Sequence, residues 1–147
     1  MDKILTTNIH DLFMSRAMEL AKQGRGQVSP NPMVGCILVH DGNIIGEGYH
    51  EVYGGPHAEI IALRNARKDP LDSIAYINLE PCCITGKTPP CTNALIENGI
   101  SEVYIGMLDP NPEVNGKGAE ALNKAGILTH VGAVSYTHLT LPTNREV

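Results

Sequence analysis

Tryptophan is absent from this 147-residue chain, phenylalanine occurs once and tyrosine five times. An aromatic platform for stacking single-stranded nucleic acid is therefore thinly supplied. Basic residues are also scarce, with eleven Lys and Arg against sixteen Asp and Glu, a formal charge of −5 and no Lys/Arg run longer than two. That balance argues against a general nucleic-acid surface and for a small-molecule partner. No stretch approaches the roughly eighteen apolar residues of a membrane span, and Met1 to Thr7 lacks the basic-then-apolar order of a secretion signal. The expectation is a soluble, cytoplasmic protein that touches neither membrane nor nucleic acid. Cysteine is sparse but clustered: of four, Cys82 and Cys83 are adjacent and Cys91 follows within ten residues. In a reducing compartment such clustering suits a metal or catalysis better than a disulfide framework.

The length is ample for one core, and 42% hydrophobic with 18% charged residues is a globular composition. Asn8 caps an amphipathic helix carrying Ile9, Leu12, Phe13, Ala17, Leu20 and Ala21, which Gly24 and Gly26 end. Met33 to Val39 and Ile44 to Tyr49 form a hairpin around turn residues Asp41, Gly42 and Asn43. A second helix begins at Pro56 and ends near Asp69-Pro70, and Ile74 to Leu79 is a strand. A loop over Glu80 to Pro90 leads into a third helix, Cys91 to Glu97. Val103 to Met107 is a strand, Gly118 to Lys124 a fourth helix and Ile127 to Val131 a last strand. This alternation predicts an α/β layered sandwich. Residues 135–147 show neither period nor capped length and are expected to be a disordered or non-native tail.

The chemistry starts at His57-Ala58-Glu59. A neutral imidazole is a common zinc ligand, and a carboxylate two residues on can move protons without coordinating. Successive helical residues point about 100° apart, so both reach one metal only if it lies off the helix's first turn, where Pro56 puts them. Pro81-Cys82 and, after eight residues, Cys91 stand before or at a helix start, where the dipole favours a thiolate. One His and two Cys are three ligands, leaving a fourth tetrahedral position for water, as in a catalytic zinc site.

His-x-Glu followed by Pro-Cys matches the zinc-deaminase signature, with a longer gap before the second Cys. Leu79-Glu80-Pro81-Cys82 through Gly86-Lys87-Thr88-Pro89-Pro90-Cys91 resembles the deaminase domain of the bacterial riboflavin-biosynthesis deaminase/reductases. The resemblance runs from about Phe13 to Gly132 and includes Pro30-Asn31-Pro32, Val34-Gly35, Gly46-Glu47-Gly48-Tyr49-His50 and Asp109-Pro110-Asn111-Pro112. It implies a three-layer α/β/α sandwich around a mixed sheet of about five strands, cytidine deaminase-like, with residues 1–134 as one zinc-dependent deaminase domain. It further implies one Zn2+ held by His57, Cys82 and Cys91, Glu59 as the acid/base, and a homo-oligomer. The implied reaction removes the 2-amino group of a diaminopyrimidinone bearing a phosphoribosylamino arm, giving the uracil and ammonia. Asn31, His50, Lys87, Asp109 and Asn111 match positions that look like substrate contacts, Lys87 suiting the phosphate. Ile84 stands where the family commonly has His, and the reductase domain that usually follows in the family is expected to be absent.

Two other readings stay open: a zinc deaminase of cytosine, nucleoside, nucleotide or tRNA substrates, and a non-catalytic module with structural zinc. Cys83 is the alternative to Cys82 as ligand, and Cys36 belongs to the core. His10, His40, His130 and His138 have no constellation and are expected at the surface. Gly86-Lys87-Thr88 resembles the end of a phosphate-binding P-loop, but Pro81 occupies the position of its first glycine.

Overall fold

The computed structural model describes residues 8–84 and 89–132. Helix α1 (Ile9–Lys22) starts as its sequence predicts: the Asn8 side chain accepts the His10 N–H at 2.7 Å, satisfying one of the orphan donors of the first turn. Strands β1 (Gly35–His40) and β2 (Asn43–Tyr49) pair antiparallel around Asp41 and Gly42, whose φ values of 52° and 80° are those of a two-residue hairpin turn. Helix α2 (Ala58–Arg64), β3 (Ile74–Ile77), helix α3 (Cys91–Glu97), β4 (Glu102–Ile105), helix α4 (Lys117–Lys124) and β5 (Leu128–Val131) follow.

The sheet order is β2-β1-β3-β4-β5, antiparallel across β1 and parallel from β3 onwards. Alternation along the strands sorts side chains between two layers. Cys36, Leu38, Ala75, Ile77, Val103 and Ile105 face one side, where Ala58 and Ala62 of α2, Leu95 of α3 and Leu122 of α4 close over them. Ile37, Val39, Tyr76 and Tyr104 face the other, against Met14, Ala17 and Leu20 of α1. The expected three-layer sandwich around a five-stranded mixed sheet is therefore the observed one.

Several boundaries differ from the periodicity. Helix α2 starts at Ala58 rather than Pro56 and stops at Arg64, although Ala66 continues the apolar stripe. Beyond Asn65 the chain turns to β2 instead, the Arg67 N–H donating to the Ile45 carbonyl at 2.8 Å. Helix α2 also lies unusually close to the sheet: β2 presents Gly46 and Gly48 to it, and a Cβ on either would meet the α2 backbone at 2.5 Å.

His10 and His130 are not the surface bystanders expected. Tyr76, Tyr104 and His130 are cross-strand neighbours on the α1 face, stacked at 5.0 and 4.2 Å between ring centroids. His10 lies over this row, its ring nitrogens 2.6 Å from the Tyr76 hydroxyl and 3.1 Å from that of Tyr104, while His130 is 2.6 Å from Glu102. The partners are 28 to 94 residues away in sequence, which is why no local pattern revealed them. His138 and the tail lie outside the described residues.

Candidate metal centre and active site

Where the first turn of α2 meets that of α3, three donors converge. His57 is the N-cap of α2, with extended backbone (φ −78°, ψ 163°), so it escapes the angular step that separates neighbours inside a helix. Its side chain and that of Glu59 can therefore face one space, and both line the same cavity. His57 Nδ1 lies 3.2 Å from Cys91 Sγ and 3.8 Å from Cys82 Sγ. Tetrahedral zinc requires about 3.6 Å for such N···S separations, so the observed pair brackets the requirement. All three donor atoms lie within 4.8 Å of one another, and among the described residues this is the one group of three able to hold a metal ion. Cys83 is not in it, which favours Cys82 of the two alternatives. Cys36 is fully buried in the core, as expected.

The thiols are polarised by their setting. The Cys91 N–H, at the start of α3, donates to Cys82 Sγ at 3.2 Å, so Cys82 rather than Cys91 uses the helix's positive end. A hydrogen bond from the Cys91 thiol, aided by His57, draws Cys82 down to about 4, well into the thiolate range. Cys91, the donor in that pair and buried, is pushed up instead. Hydrogen bonding to Cys82 raises His57. Glu59 is 3% exposed, and burial pushes its carboxyl up to about 7. A carboxyl that titrates near neutrality suits proton transfer in both directions.

The cavity is lined by Asn31, Pro32, Val34, His50, His57, Glu59, Leu79, Glu80, Cys82 and Asp109, with a volume of about 150 Å3. That is space for a single six-membered ring. His50 is 3% exposed, with Nδ1 3.0 Å from the Pro56 carbonyl and Nε2 3.2 Å from Asn31 Nδ2. A carbonyl can only accept, so Nδ1 donates to Pro56 and Nε2 is the atom facing the Asn31 amide. Both nitrogens are thereby occupied, and the Asn31 carbonyl oxygen takes no part in the pair. Asp109 lies on the wall, with Oδ1 accepting the Asn111 N–H at 2.9 Å. Asn111 lies outside the lining, its Oδ1 accepting the Glu113 N–H at 3.0 Å. Lys87 lies outside the described residues. A residue the sequence reading passed over also borders the cavity: Glu80, 4% exposed. An acid at the end of an apolar strand, next to the Pro-Cys ligand motif, was the available signal.

A layered α/β sheet carrying one His, one Cys and a buried Glu at adjoining helix starts, with a second Cys in the loop between, defines a zinc-site protein of the hydrolytic kind. The model of the cytidine and deoxycytidylate deaminase zinc-binding region matches residues 7–107, and the chain belongs to that family. Zinc is accordingly its metal, and the donor set suits it. The chain is 51% identical over 123 residues to a diaminohydroxyphosphoribosylamino-pyrimidine deaminase of Buchnera aphidicola, covering 84% of both chains. It is 52% identical over 120 residues to a chloroplastic riboflavin biosynthesis protein of Zea mays, covering 82% of this chain and 31% of that protein. The crystal structure of a Thermotoga maritima diaminohydroxyphosphoribosylaminopyrimidine deaminase/5-amino-6-(5-phosphoribosylamino)uracil reductase superposes with a TM-score of 0.80 at 50% identity, over 84% of this chain and 36% of that one. The chain thus spans about a third of those two proteins. Among the described residues no helix is long and apolar enough to cross a membrane.

Proposed function

We propose that the chain hydrolyses the 2-amino group of 2,5-diamino-6-(5-phosphoribosylamino)pyrimidin-4(3H)-one, consuming water and releasing ammonia and 5-amino-6-(5-phosphoribosylamino)uracil. The observation that carries this reading is the buried Glu59 facing a ring-sized cavity beside His57, Cys82 and Cys91. The activity for which the Buchnera and Thermotoga relatives are named supplies the substrate. His57 Nδ1 and the sulfurs of Cys82 and Cys91 are the ligands, and zinc, when bound, supplies a Lewis acid that makes water nucleophilic near neutral pH.

The remaining steps belong to the chain's own groups. The Glu59 carboxylate takes one proton of the attacking water and gives it to a ring nitrogen, then carries the remaining hydroxyl proton of the adduct to the amine, so that C=O forms, the C–N bond breaks and ammonia leaves. The Asn31 carbonyl, held by His50, accepts from an N–H of the ring. Asp109 reads a further donor on the substrate, with Asn111 bracing its loop. Lys87, in the spacer between the two Cys ligands, pairs with the phosphate. Residues 1–134 form the deaminase domain, and the chain assembles as a homo-oligomer, which sedimentation would check.

The test is ammonia release by the zinc-loaded protein from the phosphoribosylamino diaminopyrimidinone, cytidine and deoxycytidylate. Turnover of the first alone is expected; turnover confined to a cytosine substrate would sink the proposal. Glu59→Gln should abolish release while zinc stays near one per chain, and loss of metal would instead make Glu59 a ligand.

A further inference from the structure

One buried carboxylate joins the two halves of the site. Glu80 lies two residues before Cys82, and its own N–H donates to the Met107 carbonyl at 2.9 Å, extending the β3–β4 pairing towards the cavity. Its side chain then gathers three backbone donors: Oε1 accepts from Asp109 N and Gly116 N, and Oε2 from Ala119 N, each at 3.0 Å. Asp109 and Gly116 bracket the loop between β4 and α4, and Ala119 is in the first turn of α4. The N-cap of that helix is Gly116, which has no side chain to cap with, so Glu80 performs the capping from another segment. Gly118 sits against Pro81 and the Glu80 side chain with no room for a Cβ, so the α4 turn comes this close only because the position is glycine.

From this we infer that Glu80 is a positioning residue for substrate recognition: it fixes the Asp109–Gly116 loop, and with it the Asp109 carboxylate, on the wall of the cavity. The inference rests on the proposed role of Asp109. Within the loop, Asp109 Oδ1 accepts Asn111 N, and Asn115 Nδ2 donates to the Asp109 carbonyl at 2.9 Å. The loop is thus internally braced, and Glu80 is what ties that braced unit to the strand end that leads to Cys82. The metal donors themselves make no hydrogen bond to Glu80, so its loss should loosen recognition while sparing the metal.

Glu80→Gln keeps shape and volume but turns one acceptor oxygen into an NH2 that faces an N–H. A loop that occupies its competent position one tenth of the time weakens apparent affinity about tenfold. The experiment compares wild type, E80Q and E80D, all zinc-loaded, for KM and kcat in ammonia release. It also compares amide hydrogen exchange at Asp109, Gly116 and Ala119. Expected are a KM about tenfold higher in E80Q with kcat within twofold, one zinc retained, faster exchange at those three amides, and a smaller KM change in E80D, which keeps the charge on a shorter arm. A loss of melting temperature with KM unchanged would reduce Glu80 to a structural residue and overturn the inference. So would a fall in kcat with loss of zinc, which would place its effect on the metal loop. If wild type turns over only cytidine or deoxycytidylate, the substrate proposal falls. The KM comparison is then made on that substrate, and the exchange measurement still decides for or against Glu80.

Discussion

Replacing Gly48 by Ala tests whether the tight seat of α2 on the sheet sets the geometry of the metal centre. The added Cβ would lie 2.5 Å from the Ala62 nitrogen and 2.8 Å from the Ala58 carbonyl and Ile61 Cβ. Ordinary contact is about 3.5 Å or more, so the helix must retreat by about 1 Å. Overpacking of this kind costs about 1–3 kcal/mol, which is about 2–4 °C of melting temperature per kcal/mol for a chain of this size. The retreat also carries His57 and Glu59 away from Cys82 and Cys91, which sit on other segments. A displacement of about 1 Å at reacting groups lowers rates on the order of 100-fold, and zinc affinity should fall with it. Gly42→Ala, in the same hairpin, is the control: Gly42 has φ 80° and nothing within 4 Å of its would-be Cβ. There the cost is backbone strain of about 1–2 kcal/mol with no helix displaced. The assay is zinc stoichiometry, kcat of ammonia release and thermal melting for both variants. Similar melting losses are expected, with a rate loss only in G48A. Equal rate losses in the two variants, or full activity in G48A, would refute the reasoning.

Three further outcomes follow from the packing and the charges. Burial raises the folded-state pKa of Glu59 to about 7, so ionising it opposes folding as pH rises through and beyond the unfolded value of about 4.3; metal-free Glu59→Gln should therefore melt higher than wild type at pH 8, with the gap closing below pH of about 4, and an unchanged gap would contradict the burial argument. Arg16 holds Glu47 through contacts of 2.8 and 3.0 Å and keeps that carboxyl below its ordinary value. The pair's stabilisation is thus present above the unfolded value of about 4.3 and lost as pH falls through the folded one. Arg16→Met should cost up to about 1 kcal/mol in urea melts at pH 7, since the pair is partly exposed, and almost nothing in acid. Leu95, fully buried behind Cys91 on α3, should cost about 2–5 kcal/mol on replacement by Ala, measured by the same melts.

The metal centre was legible in sequence because its chemistry is local: His57 and Glu59 are two apart, and Pro81-Cys82 and Cys91 flank one loop. What sequence left open was how two neighbours at a helix start could face one space, and the extended N-cap at His57 resolves it. Glu80 carried one local signal, an acid beside Pro81-Cys82, but its role stayed hidden because its partners are 29, 36 and 39 residues downstream. Asn31 and His50 were both marked as substrate contacts, yet the hydrogen bond between them, which aims the amide, needed coordinates. The layered class followed from alternating helices and strands, whereas the early stop of α2 depended on Arg67 reaching β2.

The stacked row over the sheet makes the protein its own optical reporter. With no tryptophan anywhere in the chain, ultraviolet emission comes from tyrosine alone. Tyr76 and Tyr104 are face to face at an 8° interplanar angle, with both hydroxyls on His10. Unfolding separates the rings and frees the hydroxyls, so two of the five tyrosines change environment with the α1–sheet contact, and the tyrosine fluorescence and near-ultraviolet dichroism change with them without an added label. Burial pushes the Tyr104 phenol up to about 12, so its alkaline ionisation is a second spectroscopic signal, reading the same layer on the face of the sheet opposite the metal.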